Sequence, residues 1–188
     1  MAMKHHRIYL TGFMGTGKTT LGRVVANCLG WEFFDIDKEI EKDEGRTVAA
    51  IVLEYGEETF RRLEVRKLNE LSMFEGAVIS LGGGTLIDER NVALCKETGL
   101  LVYLKADLGT IYHRVKKKTT RPLFRSENDA EMTEDEAMNK LRNLFEIRRP
   151  GYEAADITVE TEADNFGKSI DRIINRIRSR GPERKRRF

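Results

Sequence analysis

The chain has 188 residues, 40% hydrophobic and 34% charged, and its 33 lysines and arginines nearly cancel 31 aspartates and glutamates to leave a net charge of +2. That length suits one domain with a real core, and the balance of charge excludes the overall field that marks a nucleic-acid or membrane binder. Two distant cysteines exclude a disulfide framework or a Cys-x-x-Cys zinc site, and the longest apolar run, residues 48–53, falls far short of the ~20 residues of a membrane span.

The start, Met1 to Arg7, lacks the apolar stretch of a signal peptide, which with the cysteine usage points to the cytoplasm. The first apolar run, 8–10, reads as a strand. It leads straight into Gly12-Phe13-Met14-Gly15-Thr16-Gly17-Lys18-Thr19 and an amphipathic helix over 17–29. This is the full G-x-x-x-x-G-K-[ST] pattern in its strand-loop-helix setting. Glycines let the backbone aim successive N–H groups at phosphates, and the helix that starts there adds its positive end. Gly15, Thr16, Gly17, Lys18, Thr19 and Thr20 are therefore candidate nucleotide contacts. Lys18 is suited to the β- and γ-phosphates and the Thr19 hydroxyl to Mg²⁺.

A second strand, 31–34, runs into Asp35-Ile36-Asp37. Strand 77–81 ends in glycines, so the acid that motor-like ATPases place after such a strand must come from elsewhere, and Asp35 and Asp37 are the source. Ligands gather at the carboxyl ends of strands in an open parallel sheet. Asp35 would face the metal's water shell and Asp37 the acceptor hydroxyl, although either could cap a helix beginning at Lys38. Helix 57–74 carries Arg61 between Glu57 and Glu64, a spacing equally compatible with a surface ion-pair ladder.

Strand 77–81 continues into Gly82-Gly83-Gly84, more glycine than a turn needs, and a backbone without Cβ atoms there lets a small substrate come close. Helix 88–98, strand 100–104 and helix 107–117 follow. Residues 116–130 carry no sustained period and read as a long functional loop. Thr133 to Glu136 has capping-box form at the head of helix 133–149, with Pro150 expected to close it. Met138, Leu141 and Phe145 mark the buried stripe of that helix, and Arg148 falls on the same face, where a cation needs an anion such as a substrate carboxylate. Strand 157–159, helix 163–179 and a tail complete the chain. Residues 176–188 hold seven bases and one acid, a local +6 that leaves residues 1–175 at −4. His5, His6 and His113 have no ligand spacing. Strands alternating with helices in this way predict a parallel sheet covered on both faces.

Six elements together resemble the shikimate kinases from about Arg7 to Arg178. They are the Gly12 to Thr19 loop, Phe34-Asp35-Ile36-Asp37, Phe60-Arg61, Leu81-Gly82-Gly83-Gly84, Arg121-Pro122-Leu123 and Arg148-Arg149-Pro150-Gly151-Tyr152. The resemblance implies a three-layer α/β/α P-loop kinase fold, with five parallel strands in the order 2-3-1-4-5 and a lid at 116–130. It implies transfer of the γ-phosphate of Mg·ATP to the 3-hydroxyl of shikimate. By position, Asp37, Arg61, Gly83 and Arg148 look like shikimate contacts, with the two arginines on the carboxylate and Asp37 on the hydroxyls, and the glycine run adds Gly82 and Gly84 to the substrate site. Arg121 looks like the lid arginine that meets the transferring phosphate, and Arg114 like the residue that stacks on adenine. Family members often place a proline on the other adenine face, where this sequence has Phe166. Lys18, Asp37 and Arg121 would be catalytic, and Thr19 and Asp35 would serve the metal. Residues 1–180 would form the kinase domain and 181–188 a basic, disordered tail.

The nearest competing reading is another small-molecule kinase on the same scaffold, such as a gluconate kinase, or a nucleotide kinase. A regulatory GTPase would carry an Asn-Lys-x-Asp motif, and none occurs. Nucleic-acid binding rests only on the basic tail. The expected partners are shikimate and ATP, with no nucleic acid, no membrane and a monomeric enzyme.

Overall fold

Five short runs rich in β-branched, leucine and aromatic residues pair into one parallel sheet, whose three central runs, 7–11, 77–80 and 100–105, are buried on both faces and must be covered on both, while the edge runs, 32–35 and 157–160, are only partly buried. The structure, a computed structural model, describes residues 6–116, 132–161 and 166–179. The strands are β1 (Arg7–Thr11), β2 (Glu32–Asp35), β3 (Ala77–Ser80), β4 (Leu100–Lys105) and β5 (Ile157–Glu160), in the order β2-β3-β1-β4-β5. Tyr9 at the centre lies opposite Ile79 on one side and Leu101 on the other. The sequence reading of the sheet, its composition and its strand order agrees with this topology.

The period of two along β1 divides the core. Ile8 and Leu10 point to one face, where they meet Leu21 and Val25 of α1 (Lys18–Leu29) and Ile173 of α7 (Phe166–Ser179). Tyr9 points to the other, among Ile36 and Ile40 of α2 (Ile36–Glu44), Phe60 and Leu68 of α3 (Val48–Leu71) and Cys95 of α4 (Glu89–Thr98). Each such fully buried side chain contributes about 1.5–3 kcal/mol. A third cluster joins Phe13 and Tyr103 to α5 (Leu108–Lys116) and α6 (Glu134–Glu153), which places α6 beside the loop after β1. Among the described residues no helix is long and apolar enough to cross a membrane.

Three helix boundaries differ from the sequence reading. The helix considered at Lys38 begins at Ile36 as α2, and α3 begins at Val48 rather than at 57, where Thr47 caps it by accepting from the Ala50 N–H at 3.2 Å. Gly45 and Gly56, with φ of 64° and 81°, break the continuous period that identifies a helix from sequence, and α3 bends at Gly56 before ending at Leu71 rather than at 74. Pro150 does not end α6. The helix continues to Glu153 because Gly151 and Tyr152 are buried, and that burial outweighs the hydrogen bond the proline cannot make. The capping box at Thr133 and Glu136 forms as the sequence predicts.

Candidate active site

Between β1 and α1 the chain turns back on itself through Gly15 and Gly17, whose φ of 78° and 93° few other residues tolerate. Gly17 caps α1 with no side-chain bond, so the first N–H groups of the helix point to the loop's hollow with an anion as their natural partner. Lys18 folds over the loop, its Nζ donating to the carbonyls of Gly12 at 2.6 Å and Phe13 at 3.2 Å. The buried Thr16 hydroxyl donates to Phe13 O at 2.8 Å and so braces the loop from within, leaving its backbone to face a phosphate. Thr20 is exposed one residue beyond Thr19.

Thr19 Oγ1 donates to Asp35 Oδ2 at 2.7 Å, which brings the two expected metal-side oxygens together across 16 residues of sequence. Asp35 occupies the N-cap position of α2, yet its side chain makes no cap bond; it serves the phosphate loop instead. Among the described residues no group of three or more His, Cys, Asp or Glu could hold a metal. Magnesium keeps several waters and takes phosphate oxygens, so it needs only one or two protein oxygens, and the Thr19 and Asp35 pair fits that requirement.

Asp37 stands in the first turn of α2 with Oδ1 buried and without a hydrogen-bond partner. Burial above all, with the charges of Glu64 and Asp35 adding to it and Lys18 opposing, pushes its carboxyl up to about 6. Glu64 is 1% exposed on α3 and accepts from Thr85 Oγ1 at 2.6 Å. Its other oxygen pairs with Arg61, which also donates to Glu57 at 2.6 Å. The ion-pair ladder foreseen for Arg61 exists, but its Glu64 rung is buried and faces the glycine loop.

Gly82, Gly83 and Gly84 lie where side chains would collide with charged groups. A Cβ on Gly82 would come 2.9 Å from Asp37 Oδ1, one on Gly83 would come 2.8 Å from Arg148 Nη1, and one on Gly84 would come 2.7 Å from Arg61 Nη2. Two guanidinium groups from different helices thus meet at neighbouring peptides of one loop. Arg148 is held over the Phe13 ring at 5.9 Å, with Nε buried and unpartnered. Tyr152, one turn further along α6, donates its hydroxyl to Gly83 O at 2.5 Å.

A cleft of about 940 Å³ joins these parts, lined by Asp37, Arg61 and Arg148 and also by Arg114 and Thr161. Arg114 donates to the carbonyls of Gly15 at 3.2 Å and Thr161 at 3.5 Å, which sets its guanidinium beside the phosphate loop. Lys18, Thr19, Asp35, Asp37, Arg61, the three glycines, Arg114 and Arg148 therefore share one cleft. Arg121 and the tail fall outside the described residues, as does all but the first residue of the loop at 116–130. Phe166 opens α7, and its side chain is not among those described.

Sequence reasoning missed Glu64, Thr85 and Tyr152 as members of the site. Two signals were available. Glu64 lies four residues from both Phe60 and Leu68, an acid on an apolar stripe, and Tyr152 lies four residues from Arg148 on the stripe already assigned to the core.

A glycine-rich phosphate loop between a central strand and its helix, in a sheet of this strand order, defines a P-loop kinase. The family model described as shikimate kinase matches residues 14–178. The shikimate kinase of Chlorobium phaeobacteroides is 42% identical over 176 residues, 93% of each chain. The structure of the shikimate kinase from Acinetobacter baumannii in complex with shikimate superposes with a TM-score of 0.83 at 37% identity, covering 94% of this chain and 95% of that one. A gluconokinase from Sinorhizobium meliloti shares only the fold, with a TM-score of 0.56 and 15% identity over 95% of this chain and 98% of its own. The chain belongs to the shikimate kinase family, ATP-dependent phosphotransferases with an alcohol acceptor.

Proposed function

We propose that this protein transfers the γ-phosphate of Mg·ATP directly to the 3-hydroxyl of shikimate, giving shikimate 3-phosphate and ADP. The observation that carries this reading is the convergence of Arg61 and Arg148 on Gly84 and Gly83, with Asp37 beside them. Two planar cations from different helices suit a small carboxylate held at a fixed angle. The loop's close backbone leaves space for a ring only because it carries no side chains.

In this reading the carboxylate of shikimate lies between Arg61 and Arg148, and Asp37 takes or aligns the proton of the attacking hydroxyl. A base near pH 6 suits that task, since it is ionised at neutral pH yet not so weakly basic that a hydrogen bond to it counts for little. Lys18 and the backbone N–H groups of Gly15, Thr16, Gly17 and Thr20 hold the phosphates, and Lys18 meets the charge that develops in transfer. Thr19 and Asp35 would hold magnesium, which would supply positive charge against the phosphates. Arg114 frames one face of the adenine, and Phe166, whose side chain is not among those described, is the residue assigned to the other. Arg121, outside the described residues, is the cation assigned to the transferring phosphate. Direct transfer is favoured because the site is built of positioning cations and metal-side oxygens. The same reading makes residues 1–180 the catalytic domain of a cytoplasmic monomer and gives residues 181–188 no part in the reaction.

The test is product analysis by phosphorus and proton NMR after incubation with Mg·ATP and shikimate. The phosphomonoester should appear on the 3-hydroxyl alone. Phosphate on another hydroxyl, or a competent phospho-enzyme formed from ATP alone, would contradict the proposal.

A further inference from the structure

Tyr152 is 1% exposed, and its ring needs no hydroxyl to earn its place. It stacks on Tyr103 with centroids 5.4 Å apart and 22° between the planes, and it packs beside Phe145 at 6.3 Å, contacts that phenylalanine would serve equally well. The hydroxyl is what phenylalanine lacks, and it is spent on the glycine loop. It donates to Gly83 O at 2.5 Å, and Arg148 Nη1 stands beside the same residue, 2.8 Å from where a Gly83 Cβ would lie. A phenol can donate and accept at once, so one oxygen can tie a peptide to a guanidinium.

Arg148 needs such a tie more than Arg61 does. Arg61 is fixed by two carboxylates, Glu57 and the buried Glu64. Arg148 forms no ion pair among the described residues; it rests on the Phe13 ring, with its Nη1 close to Gly83 and its Nε buried without a partner. A long side chain held by one ring face keeps several rotamers of similar energy. The end of α6 is itself clamped to the glycine loop from below: a Cβ on Gly151 would run into the Leu86 carbonyl, so the helix closes on that segment only because residue 151 has none. Tyr152 and Gly151 therefore bring the loop and the Arg148 helix to one fixed separation.

We propose that Tyr152 is a positioning residue for acceptor recognition: its hydroxyl locks the Gly83 peptide to the Arg148 guanidinium and so sets the angle at which Arg148 meets the acceptor's carboxylate. The proposal rests on the reading that Arg148 binds that carboxylate. Tyr152 touches no reacting atom, so its removal acts on acceptor binding more than on the transfer step.

Tyr152→Phe keeps the ring and removes only the oxygen. In the full chain, calorimetric titration with shikimate should show the dissociation constant rising about three- to tenfold, the range of one lost hydrogen bond between uncharged groups. The Michaelis constant for ATP should stay within about twofold, and Tm should remain within about two degrees. In a cycle with Arg148→Lys, which loses the planar fork, Tyr152→Phe should add less than about twofold, because the group it orients is already gone. Unchanged shikimate affinity in Tyr152→Phe, with a clear loss in Arg148→Lys, would overturn the proposal and leave the reading of Arg148 intact. Fully additive effects in the cycle, with ATP and Tm moved as well, would assign Tyr152 to packing alone and overturn it too. Unchanged affinity in Arg148→Lys and in Arg148→Ala would overturn the underlying reading and the proposal with it.

Discussion

Asp37→Asn removes a charge from a place where it is costly to keep and necessary to have. Its carboxyl is raised from 3.8 to about 6, chiefly by burial and then by Glu64 and Asp35. A raised carboxyl means that the folded chain binds the proton more tightly than the unfolded one. The cost of the charge is therefore absent below about pH 4, grows as pH climbs towards 6 and is complete above it. Two units of pKa correspond to at most about 3 kcal/mol at pH 8, and about half of that at pH 5. The amide has the same shape and no charge. Asp37→Asn should thus stabilise the unliganded protein by about 1–3 kcal/mol at pH 8, by roughly half as much at pH 5, and by nothing below pH 4. Urea unfolding followed through the fluorescence of Trp31 reads this difference directly. Turnover should move the other way, falling by ~10² to 10⁴ as expected for a lost base. The reasoning is refuted if the variant is less stable than the parent at pH 8, if its gain is the same at pH 4 and 8, or if turnover is near normal.

Other substitutions separate the remaining roles. Asp35→Asn should raise the magnesium needed for half-maximal rate, with activity partly restored by more metal, whereas magnesium should not rescue Asp37→Asn; initial rates across a magnesium series check both. Lys18→Ala should lower kcat by at least about 10² while the unfolding midpoint moves far less, because in the free protein its Nζ bonds the Gly12 and Phe13 carbonyls, whereas in transfer it meets the charge that develops in the transition state. Gly84→Ala would put a Cβ 2.7 Å from Arg61 Nη2 and should raise the Michaelis constant for shikimate about tenfold with that for ATP unchanged, measured by steady-state kinetics.

What could be read from sequence was what is local or strictly periodic. The phosphate loop is a continuous string whose strand and helix flank it, and the β-α alternation that gives the sheet depends only on apolar runs and their spacing. The aspartates and glycines at strand ends were legible for the same reason, since a parallel sheet collects its ligands there. The supports of the site were not. Thr85 meets Glu64 across 21 residues and Tyr152 meets Gly83 across 69, and no spacing rule links positions that only the packing of α3 and α6 against the glycine loop brings together. The extent of α2 and the first turns of α3 were hidden by two left-handed glycines, at 45 and 56, that cut the period into pieces too short to delimit. Pro150 misled in the opposite sense: its local effect is real, but the buried Tyr152 beyond it carries the helix onward.

The central claim is that Arg61, Arg148, Asp37 and the loop Gly82 to Gly84 select a small cyclic carboxylate with a hydroxyl in reach of the phosphate. The most direct measurement is ADP release by the purified full chain with Mg·ATP, offered shikimate, its carboxamide, gluconate or a nucleoside monophosphate as acceptor. The account predicts efficient turnover with shikimate, a kcat/KM lower by at least about 10² for the carboxamide, which removes the charge both arginines hold, and background rates with gluconate and nucleotides. Equal turnover of shikimate and its carboxamide, or preference for gluconate or a nucleotide, would contradict it.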